Sequence, residues 1–271
     1  MEKYSVLMTV YKKDNPDFFG LAIDSMINQT YKPDEIIIVK DGQITEELQK
    51  IIDDRVSYGI YINQIQLEKN LGLGLALNEG IKNCRNELIA RMDADDYSMP
   101  NRCELQIEEF RKNPKLSIIG CPADEFINKI DNIVGCRNVP IDNQDIYKFA
   151  RRRDPFNHPT VMYKKSEVQK AGYYSDYRKN QDTDLWIKML SNGVECKNLE
   201  EHVFRFRFDE NTYKKRKNWL NTKILIKIRY LAWKSGFNSF WDFSIVAGTQ
   251  LMMFVLPVGF QKFMYKNILR R

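Results

Sequence analysis

Apolar residues in the first hundred positions follow two spacings that alternate along the chain. Helical spacing occurs at residues 17–28 and 73–84. Short apolar or alternating runs, which are typical of strands, lie at residues 5–10, 35–39, 60–67 and 88–92. Strands interleaved with helices predict an α/β fold, with a Rossmann-like, mostly parallel central sheet flanked by helices.

Polar residues directly follow three of these strand segments. Thr9 and Tyr11 end the first, Asp41 follows the second, and the acidic residues 93–96 follow the last. In open α/β sheets, ligands bind beyond the carboxyl ends of the strands. The sequence therefore predicts a binding crevice that collects these side chains.

After residue 100 the pattern becomes less regular. Helical spacing returns at residues 104–112 and 182–192, and residues 157–163 have the composition of a short strand. We therefore predict three parts. Residues 1–100 form one half of a domain and carry the predicted crevice, and residues 101–215 form the second half of the same domain. Residues 216–271 form a helical, membrane-peripheral extension.

The extension is rich in apolar and basic residues. Residues 219–234 mix both types at helical spacing, and residues 243–260 are mostly apolar but contain Gln250 and Pro257. A helix that crosses a membrane needs about 20 predominantly apolar residues, and this stretch is marginal in length and broken by its proline. Apolar residues such as Phe260, with basic residues at 262–271, favour a segment lying in the membrane interface. Packing on the core and spanning the membrane are the alternatives.

Composition and charge narrow the class of protein further. The 271 residues are 43% hydrophobic and carry a formal net charge of +6, with basic clusters at 213–217 and 262–271. This modest excess suits anionic partners such as nucleotide phosphates or lipid headgroups.

The five cysteines are scattered and form no Cys-x-x-Cys pair, which argues against a disulfide framework or a zinc ribbon. The N-terminal residues lack the pattern of a secretory signal, so a cytoplasmic location is expected.

The segment Arg91-Met-Asp-Ala-Asp-Asp96 carries the sharpest chemical signal. Its carboxylates occupy alternate positions where a buried strand stops, so they can converge on one hard cation. Oxygen ligands of this kind prefer Mg²⁺ or Mn²⁺ to softer metals. A solvated acidic turn is the alternative interpretation of an isolated Asp-x-Asp.

Together with four other segments, this motif resembles glycosyltransferase family 2, in particular bacterial capsule and O-antigen enzymes. In chain order the segments are Ser5-Val-Leu-Met-Thr-Val-Tyr11, Ser25-Met-Ile-Asn-Gln-Thr-Tyr31 with Glu35-Ile-Ile-Ile-Val39, Asn70-Leu-Gly72, the acidic motif, and Gln181-Asp-Thr-Asp-Leu-Trp186. The resemblance extends from Ser5 to about residue 216. It implies a GT-A fold and an inverting, metal-dependent hexosyltransferase. It also implies that residues 1–100 are the nucleotide-sugar-binding half of the domain and residues 101–215 the acceptor-binding and catalytic half.

The resemblance also implies a set of donor-site residues. The nucleoside pocket is expected at Thr9, Val10, Tyr11 and Asp41, with Asp41 bound to the base. Asn70 and Gly72 would let the backbone approach the nucleotide, and Arg91 would lie near the base and ribose. Asp93 and Asp95, with Ala94 between them, would hold Mn²⁺ or Mg²⁺ at the donor diphosphate, Asp95 being the main ligand.

On the acceptor side, the resemblance makes Asp182 the candidate catalytic base. A carboxylate here would deprotonate the acceptor hydroxyl that attacks the anomeric carbon, provided that it lies within hydrogen-bond reach. Asp184 is the rival base, and Asp184, Trp186 and His158 are candidates for the acceptor side. His158 is as well explained by a structural role.

Two positions depart from the family pattern. Lys40 replaces an acid that often precedes Asp41, and Gln181 replaces a glutamate that often precedes the base.

Arg205, Arg207 and Arg216 are candidates for phosphate contacts or for a basic surface stripe.

The predicted function is transfer of a hexose from a UDP-linked donor to a glycan on a polyprenyl diphosphate carrier, at the cytoplasmic face of the membrane. The expected product is a capsule, an O-antigen or an exopolysaccharide. Nucleic acid is not an expected partner. The alternatives are a sugar nucleotidyltransferase and a non-catalytic, membrane-peripheral protein that binds nucleotide sugars. The first strand is followed by Tyr11-Lys-Lys-Asp-Asn-Pro16, which lacks the glycine-rich loop of nucleotidyltransferases.

Overall fold

The computed structural model describes residues 2–56, 61–208 and 218–256. The basic clusters at 213–217 and 262–271, Arg216, Pro257 and Phe260 lie outside the described residues.

The described strands form two sheets. The strands are β1 (Tyr4–Val10), β2 (Glu35–Lys40), β3 (Ile62–Gln66), β4 (Leu88–Met92), β5 (Tyr97–Ser98), β6 (Leu116–Gly120), β7 (Ala123–Phe126), β8 (Ile133–Arg137), β9 (Met162–Lys164), β10 (Glu195–Asn198) and β11 (Phe204–Arg207). The larger sheet has the order β10-β6-β9-β4-β1-β2-β3, and the smaller has the order β5-β11-β7-β8.

Parallel pairing aligns the carboxyl ends of three central strands. β1 is parallel to both β2 and β4, with Val10 opposite Lys40 and Met8 opposite Met92. The residues that follow these strands therefore meet at one edge of the sheet, as predicted. β9 is the exception, because it runs antiparallel to both β4 and β6.

Helices flank the larger sheet. They are α1 (Pro16–Ile27), α2 (Glu46–Val56), α3 (Leu73–Asn83), α4 (Arg102–Lys112), α5 (Asn143–Ala150), α6 (Lys165–Lys170), α7 (Gln181–Ser191), α8 (Trp219–Lys234) and α9 (Phe240–Val255). α1 begins with Pro16 and is capped by Asn15, whose side chain accepts a hydrogen bond from the Phe18 N–H at 3.1 Å.

The core lies on both faces of this sheet, because successive residues of a strand point to opposite sides. Val6, Met8 and Val10 of β1 pack with α1 and α4 on one face. Leu7 packs with α3 and α7 on the other. The predicted α/β fold is confirmed.

Two segments differ from the prediction. α2 was not predicted, and only Leu48 and Ile52 of this mostly polar helix are fully buried. Residues 157–163 do not form one strand, because His158–Thr160 is a short 3₁₀ turn and β9 begins only at Met162. Pro159 lacks an N–H for strand pairing, which suits the turn.

α8 and α9 form a helical hairpin, which we call the C-terminal hairpin. Ile228 and Ala232 of α8 pack against Ile187 of α7, and this contact joins the hairpin to the core. Within the described part of the chain, no helix combines the length and apolarity needed to cross a bilayer. The hairpin nevertheless exposes many large apolar side chains: Trp219, Leu220, Tyr230, Leu231, Phe240, Trp241, Ile245, Leu251, Met252 and Val255.

Candidate active site

The carboxyl ends of β1, β2 and β4 surround a cavity of about 290 Å³, which we call the strand-end pocket. Every residue that the sequence assigned to the donor site lines this pocket, except Arg91. Asp14 and Leu73 line it as well, and neither was predicted. The structure therefore brings together segments that are up to 86 positions apart in the sequence, from Thr9 to Asp95.

Asp41 organises the loop that forms one side of the strand-end pocket. Its Oδ1 accepts the Leu71 N–H at 2.7 Å, and its Oδ2 accepts the Gly72 N–H at 3.0 Å and the Asn70 side-chain amide at 2.9 Å. A carboxylate has about four lone-pair sites, so three of them are already used. Asp41 thus shapes the pocket through this loop, and its contact with a base stays a prediction.

Gly72 brings the backbone close to a basic side chain. Its φ of +93° lies in the region that favours glycine, and a Cβ there would stand 2.6 Å from Nη1 of Arg178. The same Nη1 donates a hydrogen bond to Oδ1 of Asn70 at 3.3 Å. Arg178, which the sequence analysis missed, is therefore held beside the strand-end pocket.

Asp93, Asp95 and Asp96 form an acidic cluster that fits a divalent cation. One carboxylate oxygen from each lies within 4.8 Å of the others. The fully buried Asp96 accepts the Arg207 backbone N–H at 2.8 Å through Oδ1, and its Oδ2 has no hydrogen-bond partner in the described part of the chain. Three converging hard oxygen donors, one of them buried and unpartnered, suit Mg²⁺ or Mn²⁺.

Crowding of carboxylates changes their protonation. Burial and the Asp93 carboxylate raise the pKa of Asp95 to about 6. Burial, together with Asp95 and Asp93, raises the pKa of Asp14 to about 7. The strand-end pocket therefore concentrates negative charge that a cation would relieve.

Arg91 lines a second, larger cavity, and its expected position near the base and ribose stays a prediction. Alternate residues of a strand share a face, and the buried Arg91 side chain forms an ion pair with Asp93. Its Nε and Nη1 are buried and have no hydrogen-bond partner among the described residues. Arg91 thus presents unused donors beside Asp93.

The larger cavity, which we call the Asp182 chamber, has a volume of about 630 Å³. Asp182 lies in the first turn of α7 and lines the chamber together with His158 and Asp154. Burial and the Asp154 carboxylate raise the pKa of Asp182 to about 6. A carboxylate with a raised pKa, in a cavity, is a stronger base than an ordinary aspartate and suits proton abstraction.

The other acceptor-side candidates occupy different positions. Asp184 does not line the chamber, because its carboxylate pairs with Lys188 at 2.6 Å and accepts the Ser175 hydroxyl at 2.6 Å. Trp186 is buried in the core, with its ring 5.7 Å from that of His158. His158 lines the chamber and lies 4.0 Å from Asp182. Burial and Arg91 lower the pKa of His158, so this histidine is neutral.

Arg207 lies close to the acidic cluster, and Arg205 does not. The Arg207 Nε donates to the Asp95 carbonyl at 2.8 Å, and its guanidinium covers the Phe18 ring at 3.7 Å. Arg205 instead pairs with Asp124. His202 also contacts Asp124, at 2.6 Å.

Asp14, Asp154, Arg178 and Lys179 also line these cavities, and the sequence analysis assigned none of them a role. The position of Asp14 could have indicated the pocket, because this residue comes only four positions after the end of β1. The other three lie in irregular segments, where spacing predicts no direction for a side chain.

Comparisons with known proteins agree with this geometry. The family model Glycosyl transferase family 2 matches residues 5–172. The chain is 37% identical over 270 residues to the UDP-Gal:alpha-D-GlcNAc-diphosphoundecaprenol beta-1,3-galactosyltransferase of Escherichia coli, covering 99% of this chain and 97% of the relative. It is 32% identical over 264 residues to the amylovoran biosynthesis glycosyltransferase AmsE of Erwinia amylovora, covering 97% and 98%.

A solved structure has the same fold. The mannosyltransferase PcManGT from Pyrobaculum calidifontis, determined in complex with GDP-Man and Mn²⁺, is similar with a TM-score of 0.64. The match covers 96% of this chain and 71% of that one, at 14% identity. At this identity the likeness supports the fold alone.

Proposed function

Because this chain belongs to glycosyl transferase family 2, we propose that it transfers a hexose from a UDP-linked donor to a glycan carried on a polyprenyl diphosphate. The Escherichia coli relative is named for a reaction of this kind, and the chain matches it over nearly its whole length. The product belongs to a capsule, an O-antigen or an exopolysaccharide. Membership in the family makes the chain a glycosyltransferase; the sugar, the carrier and the stereochemistry are the proposal.

One observation carries the proposal: the two cavities share Leu73 and Asp93. The strand-end pocket holds the residues expected to bind a nucleotide sugar, and the Asp182 chamber holds the candidate base. A hexose at their common border would have its diphosphate on one side and Asp182 on the other. This arrangement supports a direct displacement with inversion at the anomeric carbon.

In this reaction, Asp182 accepts the proton of the acceptor hydroxyl as its oxygen attacks the anomeric carbon. The bond to the donor diphosphate breaks, and the electron pair leaves with the nucleotide. Arg91 lines the chamber, is oriented by its ion pair with Asp93 and has two buried donors without a partner among the described residues. It can hydrogen-bond a sugar hydroxyl or a phosphate oxygen at the border of the two cavities.

Asp95 and Asp93 would hold Mn²⁺ or Mg²⁺, with Asp96 as a buried third carboxylate. When bound, such an ion supplies positive charge that offsets the charge developing on the departing diphosphate. Arg207 lies beside the same cluster and adds a fixed cation.

We also propose that the protein binds the inner face of the cell membrane from the cytoplasm. The exposed apolar side chains of the C-terminal hairpin support this, with Trp241 72% and Val255 79% exposed. Large apolar patches on soluble surfaces mark interaction sites, and aromatic residues favour the membrane interface. A carrier embedded in the bilayer would require such contact.

Turnover of a panel of nucleotide sugars tests the proposed function. Purified protein is supplied with Mn²⁺, Mg²⁺ or chelator and with a sugar diphosphate lipid as acceptor. We expect one UDP-hexose to be consumed in a metal-dependent reaction that yields a β-linked product from an α-linked donor. Retention of the anomeric configuration, or a preference for a donor other than a UDP sugar, would contradict the proposal.

A further inference from the structure

We propose that the Asp182 chamber is divided to fit an amphipathic acceptor. Arg178 and Lys179 hold the diphosphate of the carrier, and an apolar wall from the C-terminal hairpin holds its first isoprenyl units. This inference rests on the proposed function and assigns parts of the carrier to particular residues.

The hairpin lines the chamber with three polar residues, Asn221, Thr222 and Gln250, and with three apolar residues, which we call the apolar wall. Leu225 of α8 forms this wall together with Met253 and Phe254 of α9. The Phe254 ring lies against that of Trp219, with centroids 5.2 Å apart, so a contact between the two helices supports the wall. A sugar chain presents hydroxyl groups and gains little from such a surface, whereas a hydrocarbon chain gains by leaving water.

Two basic residues of the chamber lie on a segment that contacts the hairpin. Arg178 and Lys179 belong to the segment that precedes α7, and both line the chamber. The next residue, Asn180, donates a side-chain hydrogen bond to Oδ1 of Asn221 at 2.9 Å. Because Asn221 lies on α8, this bond holds the basic segment against the helix that supplies Leu225.

The other charges of the chamber are largely paired. Asp93 pairs with Arg91, Arg137 pairs with Glu125 at 2.8 Å, and Asp154 lies 3.6 Å from Arg229. Neither Arg178 nor Lys179 forms an ion pair with a carboxylate of the residues that the structure describes. These two cations are therefore free to bind phosphate oxygens.

The apolar wall continues onto the surface of the hairpin. Leu251 lies on the same side of α9 as Phe254, which is three residues further along, and Val255 is the neighbour of Leu251 one turn further along the helix. Both are exposed, Val255 to 79%. A hydrocarbon chain too long for the chamber would follow this surface toward the bilayer while its sugar stays beside Asp182.

Isothermal titration with geranyl diphosphate tests the assignment without requiring turnover. Inorganic diphosphate and geraniol serve as partial probes, and all titrations contain chelator and are run both with and without excess UDP. We expect geranyl diphosphate to bind at least tenfold more tightly than inorganic diphosphate, because burial of about two methylene groups is worth that factor. Geraniol should bind at least tenfold more weakly than geranyl diphosphate. UDP should change geranyl diphosphate affinity by less than twofold.

Matched variants separate the two halves of the chamber. Leu225→Ser and Met253→Ser should weaken geranyl diphosphate at least fivefold and leave inorganic diphosphate unchanged. Met252→Ser, on the exposed face of the same helix, is the control and should change neither affinity. Lys179→Gln should weaken both diphosphates at least threefold, whereas Lys170→Gln, which lies outside the chamber, should not. Circular dichroism checks that each variant is folded.

Three results would overturn the assignment. These are equal affinity for geranyl and inorganic diphosphate, full competition with UDP, and unchanged geranyl diphosphate affinity in both Leu225→Ser and Met253→Ser. The binding pattern without hexose transfer would leave the assignment standing and refute the proposed function instead. Efficient transfer without any preference for an isoprenyl chain would refute the assignment alone.

Discussion

Asp154 and Asp182 line the same chamber, and burial together with the Asp154 carboxylate raises the pKa of Asp182 to about 6. Asp154 lies 3.6 Å from the buried Arg229 of α8. The environment of the candidate base therefore depends on the C-terminal hairpin as well as on its own helix. No motif that we identified in the sequence links these residues.

This relationship predicts the pH dependence of transfer. A base must be deprotonated, so kcat/KM should fall as the pH drops through about 6 and Asp182 becomes protonated. Asp154→Asn removes one cause of the raised pKa and should move the acidic limb to lower pH. Profiles of kcat/KM for the acceptor against pH, at saturating donor and Mn²⁺, measure the acidic limb of the wild-type protein and of Asp154→Asn. An unchanged limb in Asp154→Asn would show that Asp154 does not act on the base.

The two acids of α7 should differ in their effects. Asp182→Asn should lower kcat about 10²- to 10⁴-fold, the usual contribution of general base catalysis, while UDP-hexose affinity stays within about twofold. Asp184→Asn is the matched control. It breaks the pairing with Lys188 and Ser175, so it should reduce the free energy of unfolding by about 1–3 kcal/mol with a much smaller effect on kcat. Stopped assays and urea unfolding measure these quantities. Equal losses of kcat in Asp182→Asn and Asp184→Asn would contradict the assignment of Asp182 as the base.

The acidic cluster should control the effect of metal on donor binding. Asp95→Ala and Asp93→Ala should each abolish the increase in UDP affinity that Mn²⁺ produces, because each removes a carboxylate of the cluster. Asp53→Asn, an exposed position on α2, is the control and should retain it. Calorimetry with Mn²⁺, with Mg²⁺ and with chelator gives the comparison. A metal response that persists in Asp95→Ala would place the ion elsewhere.

Gly72 should be important for donor binding as well as for folding. Gly72→Ala places a Cβ against Arg178 and forces alanine into a φ of +93°. We expect a loss of stability of about 1–2 kcal/mol from backbone strain and at least a tenfold rise in donor KM. Gly236→Ala has a similar φ of +82° but nothing within 4 Å of its Cβ. Gly236→Ala should therefore lower the free energy of unfolding by a similar amount and leave the donor KM unchanged. A normal donor KM in Gly72→Ala would contradict the role of this loop.

Membrane association should depend on the exposed aromatic residues of the hairpin. Phe240→Ser and Trp241→Ser should each reduce cosedimentation with anionic liposomes several-fold, because each removes a large exposed apolar side chain. Val134→Ser removes an exposed apolar residue of β8, outside the hairpin, and should have no effect. Wild-type protein that ignores liposomes of every composition would refute peripheral membrane binding.

Local sequence patterns were enough to predict which residues line the strand-end pocket. Strand segments with aligned ends fix where their following residues lie, because parallel pairing places carboxyl ends at one edge. Thr9, Asp41 and Asp93 could thus be assigned to one pocket from sequence order alone. Recognition of the family pattern then added Asn70, Gly72 and Asp182, whose partners are far away in the sequence.

The Asp182 chamber was decided by tertiary packing. Whether Asp182 or Asp184 faces a cavity depends on how α7 rotates against the core, and adjacent helical turns give no local signal for that rotation. Arg91 lines the Asp182 chamber because successive residues of β4 point to opposite faces of the sheet, and Arg91 lies on the face that borders the chamber. Asp154, Arg178, Lys179 and Met253 come from separate irregular or helical segments, which only the packing of the C-terminal hairpin brings into one chamber. The chain order therefore determined the α/β core and the sheet edge at the strand-end pocket, because parallel pairing aligns the ends of neighbouring strands. Long-range packing determined the shape and polarity of the Asp182 chamber, because its lining residues are distant in the sequence.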